Sequence, residues 1–176
     1  MMHITVYLGS NPGNNPRYQE AAVELGTLIG QGGHTMVYGG ADGGLMGMTA
    51  NAVLEAGGSV IGVIPEFFYH RGHQKLNELH VVKTMSERKE RMIELGDAYI
   101  ALPGGPGTIE EISEIMSAVR IGIFQKPCVL YNVDGYYDDL KRQYDRMVEV
   151  GFLKQEERNR FTFADTLDEI REALNR

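Results

Sequence analysis

The residues richest in chemistry run Leu102-Pro103-Gly104-Gly105-Pro106-Gly107-Thr108-Ile109-Glu110-Glu111. Residues 97–102 are short, apolar and partly β-prone, and the spacing after Gly107 is helical, so a strand delivers the chain through a glycine turn to a helix N-terminus. Such a junction gathers unpaired N–H groups and the positive end of a helix dipole, and Gly104, Gly105 and Gly107 put no side chain in front of them. The chemistry that fits is anion binding, a phosphate above all. The Gly-Lys-Ser/Thr ending of the nucleoside-triphosphatase P-loop is missing. Carboxylates stand in its place, which shifts the expectation from phosphoryl transfer to bond cleavage.

Glu111 has two readings. Thr108 and Glu111 are spaced as a capping box, in which a hydroxyl and a carboxylate satisfy orphan amides reciprocally. Alternatively, Glu111 lies above the turn with Thr108 as a reacting carboxylate, while Glu110 points about 100° away around the helix axis. Ile109, Ile112, Ile115, Met116 and Val119 form the buried stripe of that helix. A second helix, capped by Ser86, brings Met85, Arg88, Met92 and Leu95 to one face. A lone guanidinium on an apolar stripe must have its charge met, because burying it unpaired is very unfavourable. Arg88 therefore makes a core ion pair, snorkels to the helix end, or enters the glycine-turn pocket to meet Glu111 or a ligand anion. Lys89 and Arg91 read as solvated, with Lys89 within reach of a phosphate near the helix start.

At these positions the chain resembles the LOG (Lonely Guy) family of cytokinin riboside 5′-monophosphate phosphoribohydrolases. Met85-x-x-Arg88-Lys89-x-x-Met92 and Pro103-Gly104-Gly105-x-Gly107-Thr108-x-x-Glu111 match the family's paired signature in residue type and separation. The likeness runs from Gly9-Ser10 to Asn132-Val133-Asp134-Gly135-Tyr136-Tyr137 and is less diagnostic after Gly151. Members have long carried a lysine decarboxylase label. The resemblance implies hydrolysis of the N-glycosidic bond of a nucleoside 5′-monophosphate to free base and ribose 5-phosphate, with Arg88 and Glu111 catalytic. It implies a homodimer with the pocket near the subunit contact. It also implies substrate contacts in two glycine-rich crossings: Gly39, Gly40, Gly43, Gly44 and Met46 in one, and Pro103, Gly104, Gly105, Pro106, Gly107, Thr108 and Glu110 in the other.

The elements that must position these groups alternate strand and helix along the chain. Strands are expected at residues 3–8, 35–38, 60–64, 79–83, 97–102 and 127–131, with an edge strand at 161–163. After the first strand, Gly9-Ser10-Asn11-Pro12-Gly13 is a turn that offers amides and the Ser10 hydroxyl to a ligand, or is a turn and nothing more. The crossing at residues 39–47 lacks the Gly-x-Gly-x-x-Gly spacing of dinucleotide folds, so NAD is not supported. Residues 66–78 break the periodicity with Phe67, Phe68, Tyr69, His70 and His73. The aromatics stack on a base or pack against the domain or a subunit, and neither histidine has metal-ligand spacing. Thr166 and Glu169 spell a second capping box with no evident chemistry.

The repeated βα units predict one domain over residues 1–176, a three-layer α/β/α Rossmann-like fold with a mainly parallel sheet. With 43% hydrophobic residues the chain has enough apolar material for a sizeable core. A net charge of −7 disfavours general nucleic-acid binding, and no stretch approaches membrane-spanning length, so a soluble cytoplasmic protein is expected. The single cysteine, Cys128, excludes an internal disulfide and reads as inert core. No metal or cofactor is expected. In the expected mechanism the amides of Gly105, Gly107 and Thr108 hold the 5′-phosphate. Arg88 keeps Glu111 ionised by lowering its pKa, and Asp42 and Glu110 are candidates to protonate the leaving base. Two other classes use the same residues differently. A nucleotide carrier or sensor needs no turnover, and a lysine decarboxylase needs pyridoxal phosphate on a pocket lysine.

Overall fold

Seven short apolar segments, each followed by a helix or turn that carries the chain back across the sheet, are all drawn into one parallel sheet in the computed structural model. The structure describes residues 1–175; Arg176, the last residue of the expected domain, lies outside the described residues. The strands are β1 (His3–Tyr7), β2 (Thr35–Tyr38), β3 (Ser59–Pro65), β4 (Glu78–Val82), β5 (Ala98–Ala101), β6 (Cys128–Tyr131) and β7 (Thr162–Ala164). The helices are α1 (Pro16–Gln31), α2 (Gly44–Glu55), α3 (Met85–Leu95), α4 (Pro106–Arg120), α5 (Asp138–Glu149), α6 (Gln155–Arg158) and α7 (Leu167–Leu174). Strand order is β4-β3-β2-β1-β5-β6-β7 and every pair is parallel. Ile4 stands between Met36 on one side and Ala98 on the other, so β1 is where the order reverses.

Alternation along the strands divides the core into two layers. Ile4 and Val6 face α1, α2 and α7 through Leu25, Ile29, Val53 and Ile170. Tyr7, Val37 and Tyr99 face α3, α4 and α5 through Met92, Ile112, Met116 and Leu140. These are the outer layers of the expected α/β/α sandwich. The expected strands are present with ends shifted by a residue or so, and β7 is an edge.

Three local expectations are corrected. The α3 cap is Thr84 rather than Ser86: the Thr84 hydroxyl accepts the Glu87 N–H at 3.1 Å, and the Glu87 carboxylate accepts the Lys83 N–H at 2.8 Å. Either hydroxyl precedes the periodic run, and the reciprocal carboxylate decides between them. Thr108 and Glu111 form no capping box, because α4 begins at Gly105 and Pro106 with no side-chain cap. At the second spacing the Thr166 hydroxyl accepts the Glu169 N–H at 3.2 Å, while the Glu169 carboxylate accepts the Asp165 N–H at 2.6 Å, one residue before the cap. Finally, residues Glu66–Arg71 form a 3₁₀ turn with Phe67, Phe68 and Tyr69 exposed on the single chain, which removes packing on the domain from the readings of that segment and leaves the subunit contact untouched.

Candidate active site

In an open parallel sheet, the loops leaving the carboxyl ends of the strands part where strand order reverses. Here that crevice lies beyond β1 and β5, and it holds a cavity of about 560 Å³. The β1–α1 turn supplies Gly9, Ser10 and Asn11, and the β5–α4 turn supplies Pro103 through Thr108. The start of α2 adds Met46, α3 adds Arg88 and Lys89, and α4 adds Glu110 and Glu111.

The glycine turn is built as the sequence predicts. Pro106 opens α4, and Ile109 is the residue whose N–H first finds a carbonyl, that of Gly105 at 3.2 Å. The N–H groups of Gly107 and Thr108 precede it and have no intrahelical acceptor. A Cβ added to Gly105 or Gly107 would meet nothing within 4 Å, so these glycines leave open space in front of the amides rather than allowing close packing. Gly104 is different: a Cβ there would run into the Thr108 side chain and the Gly9 backbone.

Arg88 and Glu111 come together on the cavity wall. Arg88 Nη1 donates to Glu111 Oε1 at 3.1 Å and Nε donates to the Val63 carbonyl at 3.1 Å, with both residues only 8% exposed. Burial pushes the Glu111 carboxyl above its ordinary value; the Arg88 guanidinium pulls it down and does not prevail. The expectation that Arg88 lowers the Glu111 pKa is therefore corrected in its net sign. Desolvating a carboxylate this deeply outweighs one cation at hydrogen-bond distance.

Lys89 Nζ donates to Glu110 Oε1 at 2.8 Å and lies 3.2 Å from Glu114 Oε2, so Lys89 and Glu110 form a paired rim. These hydrogen bonds, that to Glu110 foremost, raise the Lys89 pKa. Among the described residues, Lys89 is the cavity's lysine, and its charge is reinforced by two carboxylates. A Schiff-base lysine needs the opposite, a depressed pKa, and the site does not fit pyridoxal phosphate on this ground. Among the described residues no group of three or more His, Cys, Asp or Glu side chains is placed to hold a metal ion.

The other glycine crossing supports the site from behind. Gly39, Gly40, Gly43 and Gly44 do not line the cavity. A Cβ at Gly39 would fall on Arg88 Nη2, so this glycine makes room for the guanidinium. Gly40, at φ +77°, accepts the His73 N–H at 2.9 Å. Gly44, at φ +60°, lies against the Ser10 carbonyl, and Gly43 caps α2. Asp42 is also turned away, its carboxylate 3.3 Å from His73 Nε2, so it is in no position to protonate a leaving group in the cavity. Phe67, Phe68 and Tyr69 do not border the cavity either.

Sequence reasoning missed Tyr18, Met85 and Tyr136 as wall residues. Tyr136 packs edge-on against Tyr18 with ring centroids 5.6 Å apart. The signal for Tyr136 was present: the segment from Asn132 to Tyr137 leaves β6, the neighbour of β5, at the same end of the sheet.

A family described as "Possible lysine decarboxylase" matches residues 46–174. Over 169 residues the chain is 44% identical to a probable cytokinin riboside 5′-monophosphate phosphoribohydrolase of Oryza sativa subsp. japonica, covering 95% of this chain and 74% of the relative. The chain belongs to the LOG family. A LOG relative from Rhodococcoides fascians, a cytokinin riboside 5′-monophosphate phosphoribohydrolase, is 45% identical over 160 residues, 89% of this chain and 81% of its own. The molybdenum cofactor binding protein of Rippkaea orientalis superposes with a TM-score of 0.76 over 99% of this chain and 95% of that one. At 24% identity that likeness is one of fold.

Proposed function

We propose that this LOG-family chain hydrolyses the N-glycosidic bond of an adenosine or N6-modified, cytokinin-type riboside 5′-monophosphate, releasing free base and ribose 5-phosphate. The names of relatives at 44% and 45% identity support the substrate class. The observation that carries the reaction is the buried Arg88–Glu111 pair, 3.1 Å apart, on the same wall as an uncapped helix N-terminus faced with open glycines.

In this reading the amides of Gly105, Gly107 and Thr108 hold the 5′-phosphate, with the Gly9–Ser10 turn closing the other side. The bond from C1′ to the base nitrogen breaks with its electron pair leaving on the base, and positive charge grows on the sugar. Glu111 faces that charge. It takes a proton from the attacking water, whose oxygen bonds to C1′; the base leaves with the bonding electrons and takes up one proton from solvent, and Glu111 then releases its own proton to solvent, so one water is consumed in all. A carboxyl raised by burial is better matched to accepting and returning a proton near neutrality than an ordinary one. Arg88 stays charged and holds Glu111 and the sugar phosphate in register. We extend the proposal to one domain over residues 1–176, acting as a cytoplasmic homodimer with the pocket near the subunit contact.

The test incubates purified protein with AMP and with N6-isopentenyladenosine monophosphate and separates the products by chromatography. Free base with an equal amount of ribose 5-phosphate is expected. Nucleotide that binds and is recovered intact would turn the reading into that of a carrier.

A further inference from the structure

The glycine turn is held by its carbonyls, and two of the three donors come from one dipeptide that no catalytic reading uses. The Tyr137 hydroxyl donates to the Leu102 carbonyl at 2.6 Å. The Gly9 N–H donates to the Pro103 carbonyl at 3.1 Å. The Tyr136 hydroxyl donates to the Gly104 carbonyl. Three successive carbonyls entering the cradle are thus each engaged by a protein donor.

This matters because a peptide plane has two ends. The N–H of residue i+1 points opposite to the C=O of residue i across a planar trans unit, so fixing one direction fixes the other. The plane between Gly104 and Gly105 joins two residues without side chains, which widens the range of dihedral angles open to it. If it turned, a carbonyl oxygen would occupy the direction of the Gly105 N–H and would repel an anion that the amide attracts.

The dipeptide is itself firmly built. The Asn132 side chain accepts the Tyr137 N–H at 2.7 Å and donates to Asp138 and Asp165 at 2.9 and 2.8 Å. Asp134 and Gly135 turn the chain through the left-handed region, at φ +51° and +72°, and Asn15 donates to Asp134 at 2.9 Å. Tyr137 is buried, whereas Tyr136 is 39% exposed at the cavity rim and packs edge-on against Tyr137, with ring centroids 5.0 Å apart.

We infer that Tyr136 is a positioning residue whose phenol locks the Gly104–Gly105 peptide plane, with Tyr137 holding the end of the strand at Leu102, so that the turn presents the Gly105 N–H rather than a carbonyl to a phosphate monoester. The inference deepens the proposed function, resting on its phosphate subsite but not on its turnover.

The test uses ligands rather than products. Ribose 5-phosphate and adenosine are titrated by calorimetry into the wild-type protein and into Tyr136→Phe, which removes the donor and keeps the ring. Ribose 5-phosphate is expected to bind about five- to tenfold more weakly to the variant, the scale of one hydrogen bond. Adenosine, which carries no phosphate, should bind within twofold of wild type. If turnover is found, KM for the nucleotide rises while kcat changes less. Equal weakening of both ligands would assign Tyr136 a general packing role and overturn the inference. So would an unchanged Tyr136→Phe beside an impaired Tyr136→Ala, which would assign the ring rather than the hydroxyl. A wild-type protein that binds adenosine but not ribose 5-phosphate overturns the cradle itself. Loss of base release alone, with the ribose 5-phosphate difference intact, overturns the proposed reaction and leaves this inference standing.

Discussion

Glu111 sits where burial and a guanidinium pull its proton affinity in opposite directions, with burial the larger. If its ionised form is the working one, the acid limb of the kcat/KM profile lies above the ordinary carboxylate value of 4.5. Replacing Arg88 with Met removes the opposing charge and is expected to move that limb further up, a shift read directly from pH–rate profiles. The sign for stability follows from the same shift. A carboxyl whose folded pKa is raised favours the fold fully below its unfolded pKa, and that contribution is lost as pH rises through the folded value. Relative to Glu111→Gln, wild type therefore loses stability with rising pH across that window, which chemical denaturation at several pH values checks. The Gln variant retains an acceptor for Arg88, so it is expected to fold with a loss of about 1–3 kcal/mol while turnover falls about 10²–10⁴-fold. Turnover within threefold of wild type would remove Glu111 from the chemistry. Thr108 and Glu111 have the same spacing as Thr166 and Glu169, and no rule of spacing separates a reacting carboxylate from a cap. The difference lies in Pro106, which starts α4 early enough to place Glu111 beyond the first turn, opposite an arginine from another helix.

At the scale of elements, two glycines make opposite predictions. Gly39 ends β2 with the guanidinium of Arg88 where its Cβ would be. Gly39→Ala is expected to displace Arg88 from Glu111 and to abolish most turnover although residue 39 borders no part of the cavity, a loss measured by base release. Gly107 lies in the first turn of α4 with nothing near its missing Cβ. Gly107→Ala is expected to raise stability by up to about 1 kcal/mol, from helix propensity, and to weaken nucleotide binding by placing a methyl group before the amides. Thermal melts with and without nucleotide check both halves. A glycine's presence was legible in the sequence; what each one made room for was not, because the neighbour arrives from a different helix. The strands and the two core stripes were legible for the converse reason. Their signal is local periodicity, and Ile112, Ile115, Met116 and Val119 are buried as their spacing requires. The exposed turn at Phe67–Tyr69 escaped that logic, since aromatic residues carry no information about what covers them.

For the molecule as a whole, the position of the site follows from strand order rather than from any one motif. Repeated βα units led to a parallel sheet, yet nothing local states that β1 lies between β2 and β5, and it is this reversal that brings Gly9 beside Pro103. The proposed dimer is checked by sedimentation at micromolar concentration, where twice the chain mass is expected and a single-chain mass would overturn it. The same strand order governs synthesis. β1 is made first, but its partner on one side, β5, begins only at Ala98. A nascent chain halted before that point holds β1 to β4 as a half-sheet whose innermost strand has a bare hydrogen-bonding edge, an invitation to chaperones or to aggregation. Ribosomal pausing in the stretch encoding α3 would prolong this exposure, which ends when β5 pairs with β1 and the strand that leads into the pocket's glycine turn covers the open edge.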